Sequence, residues 1–137
     1  MMKPSVFLFL GAMCAFLGVA FGAFGAHGLK TMISPEMLSV YKTGVEYQMW
    51  HAFGLIAIAL MQQHDMQSLL LKWAGALMFL GIILFSGSLY ALAILNLPIL
   101  GAITPIGGVS FLISWSLLII FSGKKSSHNK RYKLSRY

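Results

Sequence analysis

Charge is what this sequence has least of, and acid above all. Its 137 residues include three Asp and Glu against ten Lys and Arg, and charged residues make up 9% of the chain. Soluble domains carry about 25%. With 58% of residues hydrophobic and a mean hydropathy of +0.81, so few charges cannot clothe a water-facing surface, which excludes an ordinary soluble globular domain. Cysteine is nearly absent too. The one thiol, Cys14, lies inside an apolar segment, so no internal disulfide can form and the redox compartment is left open. Patterns that carry catalytic chemistry are also missing. Ser86-Gly87-Ser88 has no GxSxG elbow around it, Gly123-Lys124-Lys125 has no upstream P-loop glycine, and no HxxxH or CxxC pair offers metal ligands. A non-enzymatic chain with no cofactor and no metal is the expectation.

The basic residues are unevenly placed. Six of the ten, Lys124, Lys125, Lys130, Arg131, Lys133 and Arg136, follow Gly123. Such a cluster beside a membrane span is drawn to anionic lipid, each charge contributing about 1 kcal/mol near the surface. Nucleic acid is not the expected partner, because no recognition fold accompanies the run.

The uncharged stretches set the architecture. No Lys, Arg, Asp or Glu falls between Pro4 and Leu29, so the segment at about 5–26 exceeds the roughly 20 residues that span a hydrocarbon core. It is longer than the roughly 7 to 15 apolar residues of a signal peptide, and Phe24-Gly25-Ala26 is a poor cleavage site, so it reads as a retained first helix. Ser34-Pro35-Glu36 is a helix start, with Ser as N-cap, Pro in the first turn and an acid at the positive end of the dipole. A second helix at about 35–62 would be about 42 Å long, with its first two turns at or beyond the interface. From Trp73 to Gly123 there is again no formal charge, enough for two spans broken at Asn96-Leu97-Pro98. The last of these can begin near Leu97 or at Thr104.

The expected fold is thus an all-α membrane protein. A four-transmembrane-helix bundle occupies 1–123, with helices at about 5–26, 35–62, 71–95 and 98–122, and a basic cytoplasmic tail covers 124–137. With both termini inside, Lys3, Lys72 and the six tail residues face the cytoplasm and only Lys30 and Lys42 face outward, a bias of eight to two. The location expected is the bacterial inner membrane.

Two groups of residues stand out. Gly11, Ala15, Gly18, Gly22 and Gly25 recur at helical spacing, a small-residue stripe that lets helices approach closely in lipid. The second helix brings Glu46, Tyr47, Gln48 and His51 into the membrane, and the topology sets beside them His27, then Ser86, Ser88 and Tyr90, then Thr104 and Ser110. At 100° per residue Tyr47, Gln48 and His51 share a face while Glu46 points the other way. The plainest reading is a buried hydrogen-bonded network joining helices, with His51 as a strut to Tyr47 or Ser88. Three others compete with it: a proton or ion relay, a lipid, quinone or small-molecule site, and, least supported, a metal site at His27, His51 and Glu46.

The strings LGVAFGAFGAHGL, TGVEYQMWHA, LFSGSLYALA and TPIGGVSFLISW, in this order, resemble the YgdD-like small inner-membrane proteins, domain-of-unknown-function family four-two-three, and also a small eukaryotic transmembrane relative. The resemblance covers all four helices and implies a four-span inner-membrane protein, but it carries over no catalytic or ligand-binding residue. The leading expectation of function is a structural or partner-binding membrane protein, associating with itself or with a membrane complex. The alternative is an oligomeric transporter or channel subunit for a small solute, proton or ion, built on the polar cluster.

Overall fold

The computed structural model describes residues 5–65 and 68–134, with side chains followed as far as Lys124. Four helices account for nearly all of them, and there is no strand among the described residues. Helix α1 runs Val6–His27 and is followed by a 3-10 turn at Leu29–Thr31. Helix α2 covers Pro35–Gln62, helix α3 Leu69–Leu95, and helix α4 Thr104–Leu134.

Local chemistry explains the ends. Ser34 is extended and its hydroxyl accepts from the Met37 N–H at 3.2 Å, filling one of the donors that a helix start leaves open, while Pro35 gives up a donor that has no partner there. At the other end of the bundle Ser68 caps α3 in the same way through the Leu71 N–H. Asn96 closes α3 with a left-handed backbone, φ 52°, which its short polar side chain tolerates better than most. Its N–H still reaches Leu92 O, and Pro98 opens a 3-10 turn over Pro98–Ala102 before α4 begins. Of the two starts open from the sequence, the α-helix takes Thr104, which leaves Pro105 in a first turn where no N–H is needed.

The far end of α4 departs from the sequence reading. The helix continues past Ser122 to Leu134, through the basic segment. A run of Lys and Arg marks where an apolar solvent must end, but these are good helix formers and suit the negative end of the dipole, so the backbone has no reason to stop there. Midway along α3 the opposite happens, and an apolar stretch departs from α-helical geometry. Ile82–Ser86 forms a π turn, with the Gly87 N–H bonded five residues back to Ile82 O.

Successive helices are antiparallel neighbours, α1 on α2, α2 on α3 and α3 on α4. Along the first pair Gly11 meets Ala52 and Ile56, Gly18 meets Met49, Gly22 meets Val45 and Gly25 meets Tyr41, while Ala15 is half-buried against the core. The small-residue stripe therefore faces α2 of the same chain. Leu55, Ile58, Leu71 and Met78 are fully buried at the centre. Three stretches are long and apolar enough to cross a membrane, Val6–Thr31, Leu69–Leu95 and Pro98–Lys124. Helix α2 is more polar and is not among them, and it has neighbours on both sides, α1 and α3, as α3 has in α2 and α4.

Candidate functional site

Most of the polar groups are spent on joining helices. Gln48 is the hub: its Nε2 donates to the Cys14 carbonyl of α1 at 2.8 Å, and its Oε1 accepts from the Tyr90 hydroxyl of α3 at 2.8 Å. One amide thus ties three helices. Beside it the Tyr41 hydroxyl donates to Phe21 O at 2.8 Å, and the Tyr90 ring packs against both Tyr41 and Phe21 at centroid distances of 5.0 and 5.2 Å. Gln48 is 4% exposed, so either end left unpaired would be costly in an apolar surround.

A second set binds α4 to α3. Ser110 and Ser114 donate to the carbonyls of Leu77 and Ala74 at 2.7 and 2.6 Å, and Ser88 and Thr104 share a hydrogen bond of 2.7 Å. Spaced four apart, the two serines lie on one face of α4 and meet α3 at matching heights. Ser86 does not join in. It is fully buried within the π turn, and its hydroxyl has no partner among the described residues.

His51 lies outside both sets. Its Nδ1 is 2.6 Å from the carbonyl of Tyr47, one turn back in the same helix, and Ser88, bonded to Thr104, is not its partner. A carbonyl only accepts, so Nδ1 carries a proton, and with the ring neutral Nε2 is a bare acceptor. The ring lies face to face on Phe111 of α4, with centroids 3.4 Å apart and planes at 11°. Two contacts therefore fix its orientation. Around it a groove of about 480 Å³ is lined by Tyr47 and His51 of α2, Phe85 of α3 and a strip of α4 from Pro105 to Trp115. Phe85 stacks on Tyr47 at 4.5 Å, at the end of the π turn. The backbone of α4 comes so close here that a side chain at Gly107 would run into the Phe85 backbone.

The ten residues singled out from the sequence thus fall into five groups. Gln48 and Tyr90 meet in the first network, Ser88, Thr104 and Ser110 in the second, and Tyr47 and His51 line the groove, while His27 and Glu46 are exposed and Ser86 is buried alone. Among the described residues no three His, Cys, Asp or Glu side chains gather. Two contributors were missed. Tyr41 lies one heptad before Gln48 on the same face but reads as part of the apolar pattern. Ser114, four residues after Ser110, was marked by that spacing.

An all-helical bundle that joins its helices through buried polar groups and turns apolar side chains outward defines a small integral membrane protein. The chain belongs to the family described as protein of unknown function (DUF423), which matches residues 21–108. It is 50% identical over 119 residues to the UPF0382 membrane protein YwdK of Bacillus subtilis, covering 87% of this chain and 97% of that one. A Staphylococcus haemolyticus relative, UPF0382 membrane protein SH2409, is 49% identical over 119 residues, 87% of this chain and 96% of its own. A UPF0382 membrane protein of Staphylococcus epidermidis is 50% identical over 115 residues, 84% and 93% of the two chains. No solved structure matches the chain.

Proposed function

We propose that this is a non-enzymatic, four-span protein of the bacterial cytoplasmic membrane, with both termini inside, that works by presenting its outer faces to a membrane partner. The observation that carries this reading is the use of the buried polar groups. Gln48, Tyr41, Tyr90, Ser110 and Ser114 bond to other helices, which makes them fasteners and leaves no nucleophile, base and orienter grouped for chemistry among the described residues. A relay of protons or ions would need such groups free to exchange partners. The faces turned outward are broad and apolar, with Phe9, Phe16 and Val19 on α1 and Leu112 and Ile119 on α4 all more than half exposed. Lipid covers such a surface by default, and a second copy or another membrane protein can replace it.

Photo-crosslinking in cells tests the proposal. A photoreactive residue at Phe16 or at Ile119 is expected to capture one defined membrane protein, or this chain itself, in a discrete band. Capture of lipid alone from both positions would sink the partner reading.

A further inference from the structure

The groove beside His51 is not used by the helix-linking bonds, and its chemistry is selective. Its volume of about 480 Å³ falls in the range of small-ligand sites. Because Tyr47, Leu112 and Trp115 in its wall are exposed, it opens sideways on the bundle surface, where lipid reaches it. The lining holds no lysine, arginine or carboxylate, so a charged headgroup would find no counter-charge there. One well-fixed polar atom remains. His51 Nε2 is a bare acceptor held by the Nδ1 bond to Tyr47 O and by the stack on Phe111, and it has no hydrogen-bond partner among the described residues. His51 is 6% exposed as a whole residue, and Nε2 is not one of the wholly buried atoms without a partner, so it stays within reach of whatever fills the groove. The Tyr47 hydroxyl, on the same wall, is likewise without a partner among the described residues. The adjoining π turn is a further mark, since such bulges recur at functional sites.

We propose that this groove binds a neutral, hydroxyl-headed membrane lipid, whose hydroxyl donates to His51 Nε2 and accepts from the Tyr47 hydroxyl while its chain lies along Phe85, Phe111 and Trp115. The inference rests on the bundle being embedded in lipid. A hydroxyl is the head that fits, because it both gives and takes a hydrogen bond and carries no charge. An ester, ketone or ether could only accept, and would set lone pair against lone pair at Nε2.

The test uses the full chain in phosphatidylcholine vesicles, with a long-chain fatty alcohol carrying a mid-chain diazirine as probe and its methyl ether as control. After irradiation, peptides containing Tyr47, Phe85 or Leu112 should carry roughly three- to tenfold more label from the alcohol than from the ether, the margin of one net hydrogen bond. His51→Phe keeps the ring on Phe111 but removes both nitrogens, and should bring the alcohol down to the ether. Gly108→Leu leaves His51 in place and fills the groove. A Cβ there would meet the Phe85 ring at no less than 3.8 Å, so the backbone has room for a side chain to enter the groove at this point, and the change should abolish labelling by both probes. Equal labelling of wild-type protein by alcohol and ether, a preference that survives in His51→Phe, or unchanged labelling in Gly108→Leu would each overturn the proposal. None of these results would alter what Phe16 or Ile119 captures in cells, so the two readings fail separately.

Discussion

At the scale of the residue, a buried hydroxyl is worth what it bonds to. Ser114 and Ser86 are both fully buried, yet Ser114 donates to Ala74 O at 2.6 Å and Ser86 to nothing among the described residues. Replacing Ser114 by Ala should cost about 0.6 kcal/mol and at most about 1.7, the average and the upper end found for hydrogen bonds between membrane helices by double-mutant cycles. Ser86→Ala removes a polar atom from an apolar surround without breaking a bond, and should leave stability unchanged or raise it by about 1 kcal/mol. Unfolding in mixed micelles with rising dodecyl sulfate compares the two, and an equal loss in both would show that Ser86 has a partner after all. The same contrast separates what was legible in the sequence from what was not. That helix α2 would carry costly polar groups could be read directly from Gln48 and His51. Which of them fastens helices and which faces a groove depends on a few ångströms of helix rotation, and no spacing rule reaches that far. Gln48 and His51 share a face, yet one bonds to two other helices and the other to its own backbone.

At the scale of the element, the stripe on α1 shows how unequal five small residues can be. A methyl group added at Gly11 would lie 2.9 Å from the Ala52 carbonyl and 3.1 Å from the Ile56 N, both backbone atoms that cannot move aside, whereas at Gly22 it would meet only the Val45 side chain at 3.5 Å. Gly11→Ala is therefore expected to destabilise the bundle by about 1 to 3 kcal/mol, the usual cost of overpacking. Gly22→Ala should be neutral or slightly stabilising, since the contact is ordinary and alanine loses less entropy in a helix. Melting of the two variants in the same detergent decides it, and Gly22→Ala melting as low as Gly11→Ala would contradict the ordering. The small residues were legible as a stripe because helical period places them on one line. That the line meets α2 within the chain was not, since a face bare enough for a partner is equally bare for a neighbour. The helix starts at Ser34 and Ser68 follow capping rules, but the π turn at Ile82–Ser86 holds no Pro, and no sequence rule links its Ser86 to such a turn. Likewise α4 outruns the apolar segment, because composition records the solvent and hydrogen bonding records the helix.

At the scale of the whole molecule, the question is whether α2 crosses the membrane. By length and composition three stretches qualify among the described residues, and α2 is not among them. Its packing argues otherwise. Helix α1 lies antiparallel on α2 from the Gly11 contact with Ile56 to the Gly25 contact with Tyr41, a distance of about 21 Å at the rise of an α-helix and most of a hydrocarbon core of about 30 Å. If α1 spans, a helix held along it over that length is expected to span with it. The polar cost is met inside, where Gln48 is satisfied at both ends. Charge points the same way. With four spans and the N-terminus inside, eight of ten basic residues face the cytoplasm, whereas removing α2 from the count would carry Lys124 and the five basic residues after it to the outside. Reporter fusions after Tyr137 and near Asp65 are thus expected to read cytoplasmic, and fusions near Glu36 and Asn96 external. The decisive pair is Glu36 and Asp65. Opposite sides mean that α2 crosses, while an external reading from Asp65, with the C-terminal fusion also external, would mean that α2 lies among three spanning helices without crossing and that the positive-inside bias does not govern this chain.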